Sequence, residues 1–196
     1  MDLRTGANRS DNEPPADFAA AVESLRRARL RPEITVEQTP APKRMAPFAF
    51  ALTADVADEA ATGRLVLLHD PDGHEAWHGE FRLVTYVRAA LEPDIAADPL
   101  ITSVGWAWLT DALGGQGAHY TAPSGTVTRV SSESFGGMAG EAPTAEIELR
   151  ASWTPLDRDM TPHILAWGEV LTTAAGLLPL PAGVVPIPSQ RGATRR

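Results

Sequence analysis

The segment from Ala145 to Thr154 reads Ala-Glu-Ile-Glu-Leu-Arg-Ala-Ser-Trp-Thr, in which apolar and polar side chains alternate strictly. Successive side chains of a β-strand point to opposite faces of the sheet. The alternation therefore predicts a strand with one face on a hydrophobic core and the other in water. Residues 48–56 repeat the pattern, with an apolar face made of Phe48, Phe50, Leu52, Ala54 and Val56.

Two further regions of the chain indicate strands before residue 92. Residues 33–39 alternate around Ile34 and Val36. Residues 65–69 form a short apolar run that ends in Asp70-Pro71-Asp72-Gly73, a sequence typical of a turn. A hairpin closed by that turn would place His69 opposite His74. The return strand runs from His74 towards Val87, although residues 81–91 would also fit one face of a helix.

The segment from Gly125 to Phe135 is rich in Thr, Val and Ser and has little to bury on either face. Such a polar strand is typical of the edge of a sheet, where hydroxyls and charges discourage unwanted pairing. We therefore expect it to be an edge strand, or to line a groove that holds a ligand.

Three segments show the apolar spacing of helices. The first follows Pro15 and ends before Pro32, with Phe18, Val22 and Leu25 on one face. The second opens at Asp98-Pro99, and its apolar stripe comprises Leu100, Ile101, Val104, Trp108, Leu109 and Ala112. The third opens at Thr161-Pro162 and ends at Gly176, with a stripe of Ile164, Leu165, Gly168, Leu171, Thr172 and Ala175.

The order of elements, α-β-β-β-β-α-β-β-α, predicts an α+β fold with a mainly antiparallel sheet and helices packed on one side. We expect one domain over residues 16–178. Residues 1–15 are polar and predict a disordered arm, whereas the prolines of residues 179–196 predict an extended tail with a basic end. The element order resembles that of the small dimeric chaperones of type III secretion systems.

Composition excludes several classes of protein. The 196 residues include no cysteine, which rules out disulfides, thiolate metal sites and cysteine nucleophiles. The formal charge of −8 opposes nucleic-acid binding. No apolar run is long enough to span a bilayer, and the first 15 residues lack the apolar region of a signal peptide. We expect a cytoplasmic protein without a membrane or nucleic-acid partner.

Five stretches resemble an actinobacterial family known as a domain of unknown function, number three thousand in that series. They are Arg64-Leu-Val-Leu-Leu-His-Asp-Pro, Gly79-Glu-Phe-Arg-Leu-Val-Thr-Tyr-Val-Arg, Ser124-Gly-Thr-Val-Thr-Arg-Val, Ser132-Glu-Ser-Phe-Gly-Gly and Glu148-Leu-Arg-Ala-Ser-Trp-Thr-Pro-Leu. The resemblance runs from about Phe18 to Pro188. It implies neither an activity nor a catalytic residue.

No catalytic constellation emerges from the residues. The hairpin with His69, His74 and His78 offers too few ligands for a structural metal, so we expect no metal and no cofactor. The Gly136-Gly137 segment lacks both the Lys-Ser/Thr of a phosphate loop and the Gly-x-Ser-x-Gly pattern of a nucleophile elbow.

Two sets of residues are candidates for binding. A polar ligand site near the strand and loop of residues 125–137 would draw on Arg82, Arg88, Arg129, Glu133 and Ser134, and would suit a small-molecule enzyme. Trp106 and Trp167 lie off the main helical stripes, so each ring is expected to be partly exposed and to mediate contact with a protein. We favour the second reading, which predicts a non-enzymatic cytosolic binding or adaptor protein that associates with a partner or with itself as a homodimer.

Overall fold

The computed structural model describes residues 14–179. Its helices and strands are α1 Ala16–Arg27, β1 Ile34–Thr39, β2 Phe48–Val56, β3 Ala61–His74, β4 Gly79–Leu91, α2 Pro93–Ala97, α3 Ile101–Gly115, β5 Tyr120–Ser132, β6 Thr144–Pro155 and α4 Thr161–Ala174. The six strands form one antiparallel sheet in the order β1-β2-β3-β4-β6-β5. The predicted α+β class is confirmed, and the short helix α2 is an addition to the expected order.

The core lies between one face of the sheet and helices α1, α3 and α4. Strand register explains which side chains reach it, because residues directly opposite on paired strands share a face. Leu52 opposes Leu65, which opposes Thr85, and this row continues to Ala151 and Gly125. The alternation noted in β2 and β6 therefore points their apolar side chains at the helices, as predicted.

Within residues 14–179 no α-helix lies over the other face of the sheet, and this face carries a small second cluster. Ala51, Val66 and Leu68 are buried there. The partly buried side chains packed against them come from the β1–β2 connection, from strands β2 and β4, and from Trp77. Beyond this cluster the face is lined by polar and charged side chains of β4, β5 and β6. We call it the open face.

Helix α3 approaches the sheet closely at Gly105. A Cβ atom there would lie 2.9 Å from Cδ1 of Ile147 and 3.1 Å from Cγ1 of Val127. Only a residue without a side chain allows α3 to lie directly on β5 and β6. This contact fixes α3, and with it Trp106, beside strand β5.

The structure settles the open question of residues 81–91, which form strand β4. It also corrects the hairpin. Residues 70–73 interrupt the register of β3 rather than close the turn, and the chain reverses at Glu75–Trp77. His69 consequently pairs with Phe81 instead of facing His74, and its buried ring stacks on Phe81 with centroids 4.2 Å apart.

The expected stripe of α3 is partly wrong. Ile101, Leu109 and Ala112 are buried as predicted, but Leu100 is 62% exposed and Val104 is 42% exposed. The helix rests on the sheet through Gly105, and this contact turns Val104 away from the core because adjacent helical positions differ by 100°.

The predicted arm and tail lie almost wholly outside the described residues. Residues 1–13 and 180–196 fall outside them. The first described helix begins at Ala16 and the last ends at Ala174, close to the bounds expected for the domain. Within residues 14–179 no helix combines the length and apolar character needed to cross a bilayer.

Candidate functional site

Strand β5 is the most distinctive surface element of the described chain. It is 13 residues long and pairs with β6 on one side only, so the backbone groups of its outer side have no strand partner within residues 14–179. From Ser124 to Ser132 every side chain except Val127 is exposed. The polar sequence that predicted an edge strand therefore occupies one edge of the sheet.

The strand at the opposite edge, β1, has features that prevent pairing with another chain, and residues 124–132 of β5 lack them. Strand β1 has only six residues, carries the exposed Glu37, and is bracketed by Pro32 and Pro40. Short length, charge and proline are the usual devices that prevent an edge from pairing with another chain. Strand β5 has proline and a bulge only at its start, and its one charged side chain, Arg129, is bound to α2 on the helix side of the sheet. Residues 124–132 therefore have no proline, bulge or unengaged charge that would prevent pairing.

Arg82 fastens the start of β5 to the rest of the sheet. The strand bulges between Thr121 and Ser124, where Ala122 has a φ of 47°. Nη1 of Arg82 donates to the Ala122 carbonyl oxygen at 2.9 Å and to Thr154 Oγ1 at 3.0 Å. Its Nη2 donates to Ser124 Oγ at 3.0 Å and to Ser152 Oγ at 2.8 Å.

The acceptors of Arg82 are all neutral. Its side chain is buried, and burial lowers the pKa of the guanidinium. Each bond compensates part of the cost of taking the charge out of water. Since these bonds occupy both terminal nitrogens, Arg82 holds the bulge in place and is not free to bind a ligand.

Charged side chains of β4 and β6 on the open face pair with one another. Nε of Arg88 donates to Glu146 Oε2 at 2.9 Å. Nη2 of Arg150 donates to Glu148 Oε2 at 3.0 Å, and Cζ of Arg150 lies 5.3 Å from the centroid of the Tyr86 ring. Burial, and after it a hydrogen bond with Glu148, raise the pKa of Tyr86. These side chains of β4 and β6 therefore neutralise one another.

The remaining members of the predicted ligand set do not converge with these. Nη1 of Arg129 donates to the carbonyl oxygens of Ala96 at 2.7 Å and Asp98 at 3.2 Å, so this side chain fixes α2 from the helix side of the sheet. Glu133 is exposed and Ser134 half-buried in the loop after β5. The five residues are thus divided between two faces and a loop.

Trp106 lies at the free edge. Its ring is half-exposed and packs on β5, because a Cβ atom on Gly125 would come within 2.9 Å of Trp106 Cζ3. The same Cβ atom would lie 2.3 Å from the Arg150 carbonyl oxygen, so glycine is the residue that fits there. The expectation of a partly exposed ring at position 106 is met.

The corresponding expectation for Trp167 is wrong. Its side chain is fully buried between α4 and the sheet, and its Nε1 is buried without a hydrogen-bond partner in the described chain. Helix α4 is covered almost all round, so a ring at the margin of its apolar stripe is still in the core. Trp167 cannot form part of an exposed contact surface.

Exposed apolar side chains are concentrated near β5. Among the described residues, six of the nine large hydrophobic side chains that are exposed lie between positions 95 and 138, on α2, the α2–α3 connection, α3, β5 and the loop that follows β5. They are Ile95, Leu100, Val104, Val130, Phe135 and Met138. Both α2 and α3 contact β5. Apolar groups that border an unpaired strand edge are typical of a protein-binding surface.

Sequence reasoning missed a buried polar pair in the core. Trp153 Nε1 donates to Nδ1 of His163 at 3.1 Å, and burial lowers the pKa of His163 to about 4. No sequence spacing pairs a strand residue with a helix residue ten positions later. No group of three or more His, Asp or Glu side chains arranged to hold a metal ion was found in residues 14–179.

Comparison with curated proteins and with solved structures gave no match, so the similarity to type III secretion chaperones rests on element order alone. The sequence model of one protein family does match, over residues 14–185. The match includes every helix and strand described above. The chain therefore belongs to the family described as protein of unknown function, DUF3000.

Proposed function

We propose that this chain is a cytosolic, non-enzymatic binding protein that docks a protein partner on the outer edge of β5. The observation that carries the proposal is the contrast between the two edges of the sheet. Strand β1 has the length, charge and prolines of a protected edge, whereas residues 124–132 of β5 expose both their side chains and their outer backbone groups. A partner strand added there would gain main-chain hydrogen bonds.

Two features support a protein partner over a small molecule. The half-exposed ring of Trp106 and the exposed apolar side chains around β5 supply the contact area that protein interfaces require. The arginines first considered for ligand binding are already engaged, Arg82 by the bulge, Arg88 by Glu146 and Arg129 by α2.

Site-specific photocrosslinking in the native host tests the proposal. A photoreactive amino acid at Thr128, an exposed position in the middle of the unprotected segment, should yield a discrete protein adduct on irradiation. The matched control carries the same group at Thr35, an exposed threonine on the opposite edge strand. Equal labelling at both positions, or no adduct at Thr128, would count against docking on β5.

A further inference from the structure

The segment of β5 that lacks protection can pair with itself. We infer that the partner added to β5 is a second copy of this chain, bound through an antiparallel β5–β5 pair that joins the two sheets across a twofold axis. The inference rests on the proposed function and names the partner. A twofold contact of this kind uses the same surface on both subunits, so one exposed edge is enough to form it.

The ends of the free segment determine the register. Pro123 and the bulge end the regular strand on one side, and β5 itself ends at Ser132. Residues 124–132 pair along their whole length in one antiparallel register, in which Thr128 lies on the axis. Ser124 then opposes Ser132, and Thr126 opposes Val130. Pairs of hydroxyl and β-branched side chains are favourable neighbours across strands.

Charge also favours this contact between identical chains. Each copy carries a formal charge of −8, so two copies repel each other over most of their surfaces. Strand β5 is free of Asp and Glu, and its single charged residue is Arg129. In the proposed register Arg129 opposes Val127 and not its own counterpart, so no two like charges are directly opposite each other.

The same register gives Trp106 a neighbour. An axis perpendicular to the sheet keeps the helices of both copies on the same side. Because Gly125 opposes Ser131 of the second copy, Trp106 above Gly125 is brought towards the α2 helix that Arg129 holds in that copy. Ile95 of that helix is 46% exposed. A Trp ring covered in this way is a common centre of binding energy at interfaces.

Sedimentation equilibrium of the full-length chain tests the inference. The wild type should have twice the mass of one chain. Thr128→Lys places two like charges directly opposite each other and should weaken association at least about tenfold. An equimolar mixture of Thr128→Lys and Thr128→Glu should restore it, because opposite charges then face each other. Thr35→Lys, the same change on the exposed surface of β1, should leave the dimer intact.

The outcomes separate this inference from the proposed function. A monomeric wild type, or a dimer that resists Thr128→Lys but dissociates with Thr35→Lys, overturns the β5–β5 contact. A monomeric chain whose photocrosslinked Thr128 yields an adduct with a different protein overturns the second copy as partner and leaves strand addition on β5 standing. Failure of the lysine and glutamate variants to recombine also counts against the proposed register.

Discussion

The indole Nε1 of Trp153 on β6 donates a hydrogen bond to Nδ1 of His163 on α4, and both side chains are fully buried between sheet and helix. The imidazole must be neutral to accept this bond. Burial lowers the pKa of His163 to about 4 from an ordinary value of 6.5, and nearby carboxylates only partly oppose the shift. The pair ties the stability of the fold to pH.

The first prediction concerns this pH dependence. Because the pKa of His163 is lower in the folded chain, the unfolded chain binds more protons between pH 6.5 and about 4. As the pH is lowered from 6.5 to about 4, the proton uptake of this group should therefore reduce the free energy of unfolding by up to about 3 kcal/mol. His163→Gln keeps an acceptor for Trp153 but does not titrate. Urea unfolding at several pH values should show a flatter profile for the variant, and identical profiles would refute the assignment.

The second prediction concerns Arg82. Replacing it with Met leaves the Ala122 carbonyl and the hydroxyls around it without their buried donor. The free energy of unfolding should fall by about 3 kcal/mol. Arg88→Met is the matched control, since Arg88 lies on the same strand and face but is exposed, and it should change the urea midpoint little. Equal changes in the free energy of unfolding for the two variants would show that the buried hydrogen bonds of Arg82 stabilise the fold no more than the exposed pair of Arg88 does.

The third prediction tests the close packing at Gly125. A Cβ atom at this position would overlap the Arg150 carbonyl oxygen and crowd Trp106. Gly125→Ala should therefore destabilise the chain by about 3 kcal/mol and loosen β5 from β6. Gly114→Ala, at a helical position with open space around it, should be neutral or stabilising by less than about 1 kcal/mol. Hydrogen exchange of the β5 amides reports the loosening, and a wild-type exchange pattern in Gly125→Ala would contradict it.

The fourth prediction separates the two tryptophans. Trp167→Arg places a charge in the core and should prevent folding, whereas Trp106→Arg should fold with near-wild-type circular dichroism and impaired association. Thermal unfolding and sedimentation of both variants check this. A folded Trp167→Arg chain would contradict the core position of that ring. Unimpaired association of Trp106→Arg would remove Trp106 from the contact.

The sequence alone determined those features that depend on local periodicity. Alternation in residues 145–154 and 48–56 specified two strands and the face of each that is buried, because side chains of a strand alternate whatever lies next to it. Thr161-Pro162 specified the start of α4 by the conformational preferences of those residues. The polar composition of β5 predicted its place at an edge, since such a strand has too little apolar surface for a position inside the sheet.

Tertiary structure decided what depends on residues distant in sequence. Periodicity placed Val104 in the stripe of α3, but the approach of the sheet at Gly105 turned it outward. Periodicity placed Trp167 at the margin of the apolar stripe of α4, but contacts with the sheet bury its ring. From sequence, Arg82 was a candidate for ligand binding. In the folded chain the bulge of β5, 40 residues later, supplies hydrogen-bond acceptors that engage its guanidinium. The chain specifies each element locally, whereas exposure and bonding depend on which other elements pack against it.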